Sequence, residues 1–559
     1  MKRHPFFSII PLIIVAIGFA LRLHALDSES LWYDELLQLD IAQDPFSSII
    51  PQLWNHAAVP LDYWLVHFWV SLGRSEMWVR LPAVILGTLT LPMAYQLGRK
   101  LVDRRVALLF MAFLAVSPFH IHYSQEVRPY ALLFLGILVA GYGYWQLRKR
   151  DSWQDRALLL MGVLIFSLAH FFAIVIFIPW GIFGLLDILF GENRTQALKA
   201  FVALGLSGFI ALVILLSYGW GNTLWNVSWW GFGRAAVIEQ EQFTVAPAEK
   251  PNRGSGPRVT WVFIRYDILS QLGAGEARAT LWLFNGLAGL GALYLLIQKR
   301  YKSVLYLLLW LFVPVITILL FLIQRGEFFA SRYILSVLPA YLLLIAVGSF
   351  AIPRWLMRGD SWLSTTFALI ISLFVFIDLG AALNQFYDQQ SKEDWRLTSQ
   401  VIAQNAQPEH GVIAVNAEST LNWYYPQAAV PPDTFNYLVD IQAQAALAER
   451  NWIIMSIFTQ YLGDEDDKIK AWLSEQGAIR LDVDPLIDIY YVGQQTSPDQ
   501  LLAEIQTFAL PPNHELYASL ARENRRKPDV ARQYYQLAIQ YAPTEQLRSE
   551  YQTALETIQ

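Results

Sequence analysis

The chain of 559 residues is 55% hydrophobic and 14% aromatic, with only 16% charged side chains, a composition that excludes an ordinary soluble globular protein and fits a polytopic membrane protein. It contains no cysteine, which rules out a disulfide framework, a thiolate metal site and a cysteine nucleophile. The net charge of -5 conceals an uneven distribution that orients the chain.

Met1-Lys2-Arg3-His4 precedes an apolar run to about Ala20, as in a secretory signal. No small-residue cleavage site follows, and Arg22 and His24 close the run, so a retained transmembrane helix is expected. Apolar runs able to cross about 30 Å of hydrocarbon cover residues 6–24, 79–97, 106–120, 130–147, 157–170, 171–190, 200–218, 278–297, 303–323, 331–350 and 362–381. Between alternate members lie Arg99-Lys100 with Arg104-Arg105, Arg148-Lys149-Arg150 with Arg156, Arg194 with Lys199, Lys299-Arg300 with Lys302, and Arg354 with Arg358. With Lys2 and Arg3 these fall on one side if the chain crosses eleven times, and the positive-inside rule makes that side cytoplasmic. Val59 to Leu72 is short and interrupted by Asp62 and His67, which suits an amphipathic helix on the outer surface. Around His170, residues 155–190 must make two short crossings for the charge alternation to hold.

This topology gathers residues 25–78, 120–129, 219–277 and 324–331 and the C-terminal part on the non-cytoplasmic face, where a helical scaffold would carry a site on its loops. After Phe386-Tyr387 the pattern alternates between helix and strand, with strand-like runs at 411–416, 451–458 and 488–492. Beyond Ser497 it turns helical, and Tyr517-Ala518-x-x-Ala521 with Ala531-x-x-Tyr534-x-x-Ala538 and Pro543 resembles one tetratricopeptide unit and part of another. Such a unit cannot bury its own face and is expected to dock on the preceding domain or bind a partner. The expected fold class is thus a polytopic α-helical membrane protein with about eleven transmembrane helices over residues 1–385. A soluble extracytoplasmic α/β domain over 386–497 and a short helical TPR-like segment over 498–559 follow.

Three clusters carry candidate chemistry. Leu31-Trp32-Tyr33-Asp34-Glu35 directly follows the first span, where insertion energetics disfavour Asp. One reading is a solvated acidic face on an interfacial helix anchored by Trp32; the other is a general base taking the proton of a hydroxyl that attacks an anomeric carbon. If the leaving group is already a phosphate, one carboxylate suffices for displacement with inversion. In the second cluster, Ser117 to Tyr130, His120 and His122 with Glu126 are candidate ligands for a divalent cation, the alternative being interfacial histidines without metal. Arg128 suits a phosphate, and Glu126 a sugar hydroxyl or a metal, against a plain pair fastening the loop. In the third, Arg325 to Tyr333, Arg325 and Arg332 suit bidentate binding of a lipid phosphate or snorkelling to headgroups. His56 and His170 are minor candidates beside these.

The order Trp32-Tyr33-Asp34-Glu35, Val59-Pro60-Leu61-Asp62-Tyr63-Trp64, Glu76-x-x-x-Arg80-Leu81-Pro82, Ser124-Gln125-Glu126-x-Arg128-Pro129-Tyr130 and Arg332-Tyr333 with Pro339 resembles the bacterial GT-C glycosyltransferases. Within them it is most similar to the family 39 or RgtA-like group, related to protein O-mannosyltransferases and to the aminoarabinose transferase that modifies lipid A. The resemblance covers roughly residues 6–390. It implies a polyprenyl-phosphate sugar donor, catalysis on the extracytoplasmic face and an acidic first-loop residue as base, matched by Asp34 with Glu35 beside it. Glu126 matches the acidic second-loop position, and Tyr333 the tyrosine that contacts the donor phosphate. A lysine of the aminoarabinose enzyme falls near Val59, so the phosphate needs another cation: Arg128, Arg325 or Arg332. His56, Asp62, Tyr63, Tyr123 and Gln125 are the candidate substrate contacts. Trp220, Trp225, Trp229 and Trp230 with the stretch 249–258 read as a flap over the donor.

The expected protein is a multi-pass enzyme of the plasma or inner membrane that moves a sugar from polyprenyl phosphate to an acceptor hydroxyl on a lipid, glycan or protein. Its site and C-terminal domain would be extracytoplasmic. Nothing in the sequence points to a nucleic acid partner. The alternatives are a lipid-glycan flippase, which should place ionisable groups near the bilayer midplane, and a non-catalytic scaffold for envelope glycan assembly.

Overall fold

The computed structural model describes residues 6–54, 58–220, 263–274, 278–325, 329–388, 392–415, 417–426, 438–456, 467–484, 486–525 and 527–558. The chain divides into two compact units, one helical (residues 6–27 with 41–388) and one mixed (28–40 with 392–558).

In chain order the helices are α1 (Phe6–Leu23), α2 (Tyr33–Gln43), α3 (Phe46–Leu53), α4 (Pro60–Val70), α5 (Glu76–Leu101), α6 (Arg104–Val116), α7 (Pro118–His122), α8 (Tyr130–Leu147), α9 (Trp153–Ala169), α10 (Phe177–Phe190) and α11 (Arg194–Ser217). Helical segments Ile264–Ala274, Arg278–Ile297, Tyr301–Arg325, Leu338–Leu356 and Trp362–Asp388 complete the helical unit. Two 3₁₀-helical segments, Phe171–Ile176 and Ser331–Val337, lead into α10 and Leu338–Leu356. Proline takes the first position of α4 and α7, where its missing N–H is not needed. Asp103 caps α6 by accepting from the N–H groups of Arg105 and Val106 at 2.9 and 3.0 Å.

Loop contacts sort the helix ends into two sets. At one end, Trp145 Nε1 donates to Lys100 O (3.1 Å), Arg300 Nη1 to Val102 O (2.7 Å) and Ser303 Oγ to Leu101 O (2.8 Å). Asp187 pairs with Arg148 at 2.6 Å and Lys302 at 3.0 Å, Asp151 with Lys199 at 3.2 Å, and Asp103 with Arg354 at 2.8 Å. At the other end, Gln125 Nε2 donates to the carbonyls of Arg22 and His24 (3.1 and 2.8 Å), Tyr387 OH to Leu21 O (2.5 Å) and Trp220 Nε1 to Ala58 O (2.6 Å). The basic loops therefore share one end, as the charge pattern predicts. The chain also reverses at His170: α9 starts and α10 finishes among the basic loops, so two helices form there. Among the described residues eight helical spans are long and apolar enough to cross a membrane; α1, α6 and α9 occupy the expected positions but are shorter or less apolar.

The helices run close where glycines meet. A Cβ on Gly143 would lie 2.6 Å from Leu159 N, and one on Gly162 would collide with the backbone of Ala140, so α8 and α9 pack backbone to backbone. Gly291 and Gly348 do the same for Arg278–Ile297 and Leu338–Leu356, each aimed at the other helix's backbone. Leu338–Leu356 and α8 are buried almost all round, which is why they read as uniformly apolar.

The mixed unit is built on a four-stranded sheet of order β1-β2-β4-β3, from β1 (Gly411–Ala414), β2 (Arg450–Ser456), β3 (Ile479–Asp484) and β4 (Ile487–Gly493). β1 and β2 run parallel with Gly411 opposite Asn451; β4 is antiparallel to β2 and β3, with Tyr491 opposite both Trp452 and Ile479. Ile413, Ile453, Met455 and Val492 face helices Leu438–Ala445 and Lys468–Glu475 through Ile441, Ile469 and Leu473. On the other side Trp452, Tyr491 and Phe508 form an aromatic cluster with centroids 5.0–5.2 Å apart. Helices His514–Glu523, Pro528–Tyr541 and Glu545–Glu556 follow in series. Tyr517 stacks on Tyr534 and Tyr541 at 6.3 and 5.8 Å, while Asn513, capping the first of them, donates to Val483 O of β3. The first of these helices thus packs beside β3.

Candidate functional site

In the helical unit the candidate residues gather at the end opposite the basic loops. Ser117 ends α6 in an extended conformation and Pro118 restarts the chain as the single turn α7. That turn sets His122 and Glu126 four residues apart, with Nε2 and Oε1 at 3.3 Å and Glu126 buried. Tyr123 OH lies 3.4 Å from Ser331 Oγ, joining the second loop to the segment before Arg332. Rings continue the connection: Tyr123 to Tyr130 at 4.7 Å, Tyr130 to His170 at 5.6 Å, His170 to Phe172 at 5.8 Å and Phe172 to Tyr333 at 4.5 Å. The guanidiniums of Arg128 and Arg332 lie 5.9 and 6.0 Å from the rings of Tyr130 and Tyr333, and both charges act on His170. Burial and the Glu126 carboxylate push the Tyr123 phenol above its ordinary value, against the Ser331 hydrogen bond and Arg332. One patch therefore holds two guanidiniums, a carboxylate, imidazoles and phenols, a set able to hold a phosphate and orient hydroxyls.

Val59 is buried and lines a small cavity of about 60 Å³ with Ser167 and His170, so the position expected to carry a lysine lies beside this patch. Asp62 and Tyr63 are buried on α4. Arg325 ends its helix, but its side chain and His56 lie outside the described residues, as do Trp225, Trp229, Trp230 and 249–258 of the expected flap.

His120 takes a different place from His122. Its Nδ1 lies 2.7 Å from Arg22 Nη2 and 3.2 Å from Ser124 Oγ, and its Nε2 lies 3.1 Å from Thr90 Oγ1. Arg22, fully buried, also donates to Gly18 O, Ala115 O and Leu114 O at 2.7, 3.1 and 3.3 Å, satisfying the last carbonyls of α6. The pairing of His120 with His122 and Glu126 is thus corrected: both its ring nitrogens serve this buried polar knot. Gln125 likewise holds the chain leaving α1 through the Arg22 and His24 carbonyls. Among the described residues no group of three His, Asp or Glu side chains is placed to hold a metal; His122 and Glu126 would supply two ligands.

In the mixed unit the acidic motif is held from both sides. Trp32 caps α2, and Glu35 at the third helical position reaches back to Trp32 N at 3.5 Å, half of a capping box. Glu35, fully buried, also lies 3.6 Å from Lys392 Nζ. Ser30 Oγ donates to Glu393 O (2.7 Å) and accepts from Trp395 N (3.1 Å), and Leu31 N donates to Tyr424 OH (2.8 Å). The Glu393 carboxylate accepts from Tyr33 N at 3.4 Å and Trp395 Nε1 at 2.6 Å. Burial raises this carboxyl to about 8, against those hydrogen bonds and one from Ser456. Asp34, next to Glu35, is 5% exposed. Lys392, Glu393 and Tyr424 escaped the sequence reading; the charged triplet Lys392-Glu393-Asp394 just after the last span is the one local signal.

A family model described as dolichyl-phosphate-mannose-protein mannosyltransferase matches residues 55–220. Among curated proteins none matches the chain significantly in sequence. The structure of ArnT from Cupriavidus metallidurans in the apo state superposes with a TM-score of 0.53 at 13% identity, covering 86% of this chain and 97% of ArnT. Its complex with undecaprenyl phosphate gives 0.51 at 12% identity over the same shares. The archaeal oligosaccharyltransferase AglB from Archaeoglobus fulgidus, solved with an inhibitory peptide and a dolichol-phosphate, gives 0.52 at 12% identity over 88% of this chain and 74% of AglB. This chain has the GT-C glycosyltransferase fold. The family match spans the GT-C stretch that contains α4, the His122–Glu126 loop, Arg128 and His170, and the chain is accordingly a multi-pass membrane protein.

Proposed function

We propose that the protein is an inverting glycosyltransferase that transfers a sugar from a polyprenyl-phosphate donor to an acceptor hydroxyl at the extracytoplasmic membrane face. The observation that carries this reading is the gathering of Arg128, Arg332, Tyr333, Tyr123 and the His122–Glu126 pair at the helix ends opposite the basic loops. The GT-C fold supports it, since two proteins of similar fold are solved with undecaprenyl phosphate and with a dolichol-phosphate. Arg128 and Arg332 neutralise the donor phosphate and Tyr333 donates to it. Glu126, turned by His122, receives a sugar hydroxyl; a divalent cation, if the enzyme uses one, would take these two side chains as ligands and add charge against the phosphate.

In the reaction the acceptor oxygen forms a bond to the anomeric carbon while the bond from that carbon to the phosphate oxygen breaks. The electron pair leaves with polyprenyl phosphate, and the acceptor proton passes to Asp34, assigned as base from its motif and from the grip of its own unit on the turn that bears it. The test is a panel of polyprenyl-phosphate sugars offered to the purified protein with and without chelator. Transfer from one donor that disappears in Asp34→Asn supports the reading; no turnover with any lipid-linked sugar, alongside uptake or flipping of the lipid, would replace it with transport.

A further inference from the structure

At the basic end of the helical unit lies a pocket of about 810 Å³ lined by Asp103, Arg300, Arg354, Arg358 and Asp360 among others. Its two carboxylates are already neutralised: Arg354 Nη1 lies 2.8 Å from Asp103, Arg354 Nε 2.7 Å from Asp360, and Arg105 Nη1 3.3 Å from Asp360. Cationic capacity is left over. Arg300 and the exposed Arg358 line the same pocket, and the Arg358 guanidinium makes no ion pair among the described residues.

The backbone around the pocket is also unusual. Helices Arg278–Ile297 and Leu338–Leu356 both end in a 6→1 hydrogen bond, Arg300 N to Leu295 O and Gly359 N to Arg354 O, each 2.8 Å. The left-handed position of each cap, where glycine is the least strained residue, holds a cation: Lys299 at φ 57° and Arg358 at φ 53°. Apolar side chains in the lining are exposed, Trp355 at 72% and Leu356 at 61%, as suits an interfacial position among acyl chains.

We propose that this pocket binds the phosphate headgroup of an anionic phospholipid from the leaflet on the basic side, with Arg354 beneath the phosphate, Arg300 and Arg358 flanking it and Trp355 against the acyl region. The proposal is independent of sugar transfer. It is tested by delipidating the full-length protein, reconstituting it in phosphatidylcholine nanodiscs doped with phosphatidylglycerol, and counting retained lipid by native mass spectrometry, with inorganic phosphate as competitor. Wild type should retain phosphatidylglycerol at least fivefold over phosphatidylcholine, and 10 mM phosphate should not displace it. Arg358→Gly separates binding from architecture, because it relieves the left-handed backbone: retention should fall several-fold while the melting temperature holds or rises. Arg300→Gln should lower retention in parallel. Equal retention of the two lipids, undiminished retention in both variants, or displacement by phosphate, which would mark a soluble-anion site, each overturns the proposal.

Discussion

Glu393→Gln should remove a large pH dependence from the stability of the mixed unit. In the unfolded chain this carboxyl titrates near 4.5, and in the folded protein near 8, because burial penalises the charged form more than Tyr33 N, Trp395 Nε1 and Ser456 favour it. The folded state therefore binds more protons than the unfolded one across that window, and stability falls as pH rises. The contribution is fully present below about 4.5 and is lost as pH climbs through about 8. The separation of the two values corresponds to roughly 4–5 kcal/mol at most. Glutamine keeps an acceptor oxygen for Tyr33 N and Trp395 Nε1 and so mimics the protonated wild type at every pH. Denaturant unfolding of the mixed unit should show wild type losing roughly 4 kcal/mol more than the variant between pH 5 and pH 9. Parallel stability–pH curves for the two proteins would show that this carboxyl does not hold its proton in the folded state, and the account of how the acidic turn is gripped would fail with it.

Asp34→Asn should leave the melting temperature within a degree or two and lower transfer by about 10²–10⁴-fold, the ordinary contribution of a positioned general base; turnover within tenfold of wild type would remove Asp34 from the reaction. Arg332→Gln should raise the apparent donor KM about ten- to hundredfold, as for loss of a charge-assisted hydrogen bond of roughly 1.5–3 kcal/mol, with retained folding checked by gel filtration. An unchanged KM would leave Arg332 as a snorkelling residue. Gly348→Ala places a methyl against the Leu287 backbone, and the resulting overpacking should cost about 1–3 kcal/mol, read as a lower melting temperature in detergent; no change would mean that the two helices can separate freely.

The parts of this protein legible from sequence are those whose cause acts locally. Hydrocarbon thickness imposes a run length, and charge alternation resolves the His170 region into two helices, because a single one would have put Arg148 and Asp187, which pair at 2.6 Å, at opposite ends of the bundle. β3 escapes the pattern although it alternates Ile479, Leu481 and Val483 with Arg480 and Asp482; its separated apolar positions lack the continuous apolar run that marks the parallel pair β1 and β2. Other features have partners far along the chain. Arg22 reads as the polar end of a span, yet it meets His120 and the end of α6 more than ninety residues on. The spacing His-x-His suggested a shared metal, but one imidazole turns to that arginine and the other to Glu126, since a one-turn helix followed by a bend sends residues two apart to different sides. Ser30 and Glu393 are 363 residues apart, and no periodicity in either segment announces the contact. Burial reveals why the grip takes this form: a turn carrying adjacent carboxylates at the start of a helix needs the dipole, the cap at Trp32 N and the Lys392 ammonium to hold Glu35 in place. Glu35 is thereby occupied in fixing the turn that carries Asp34.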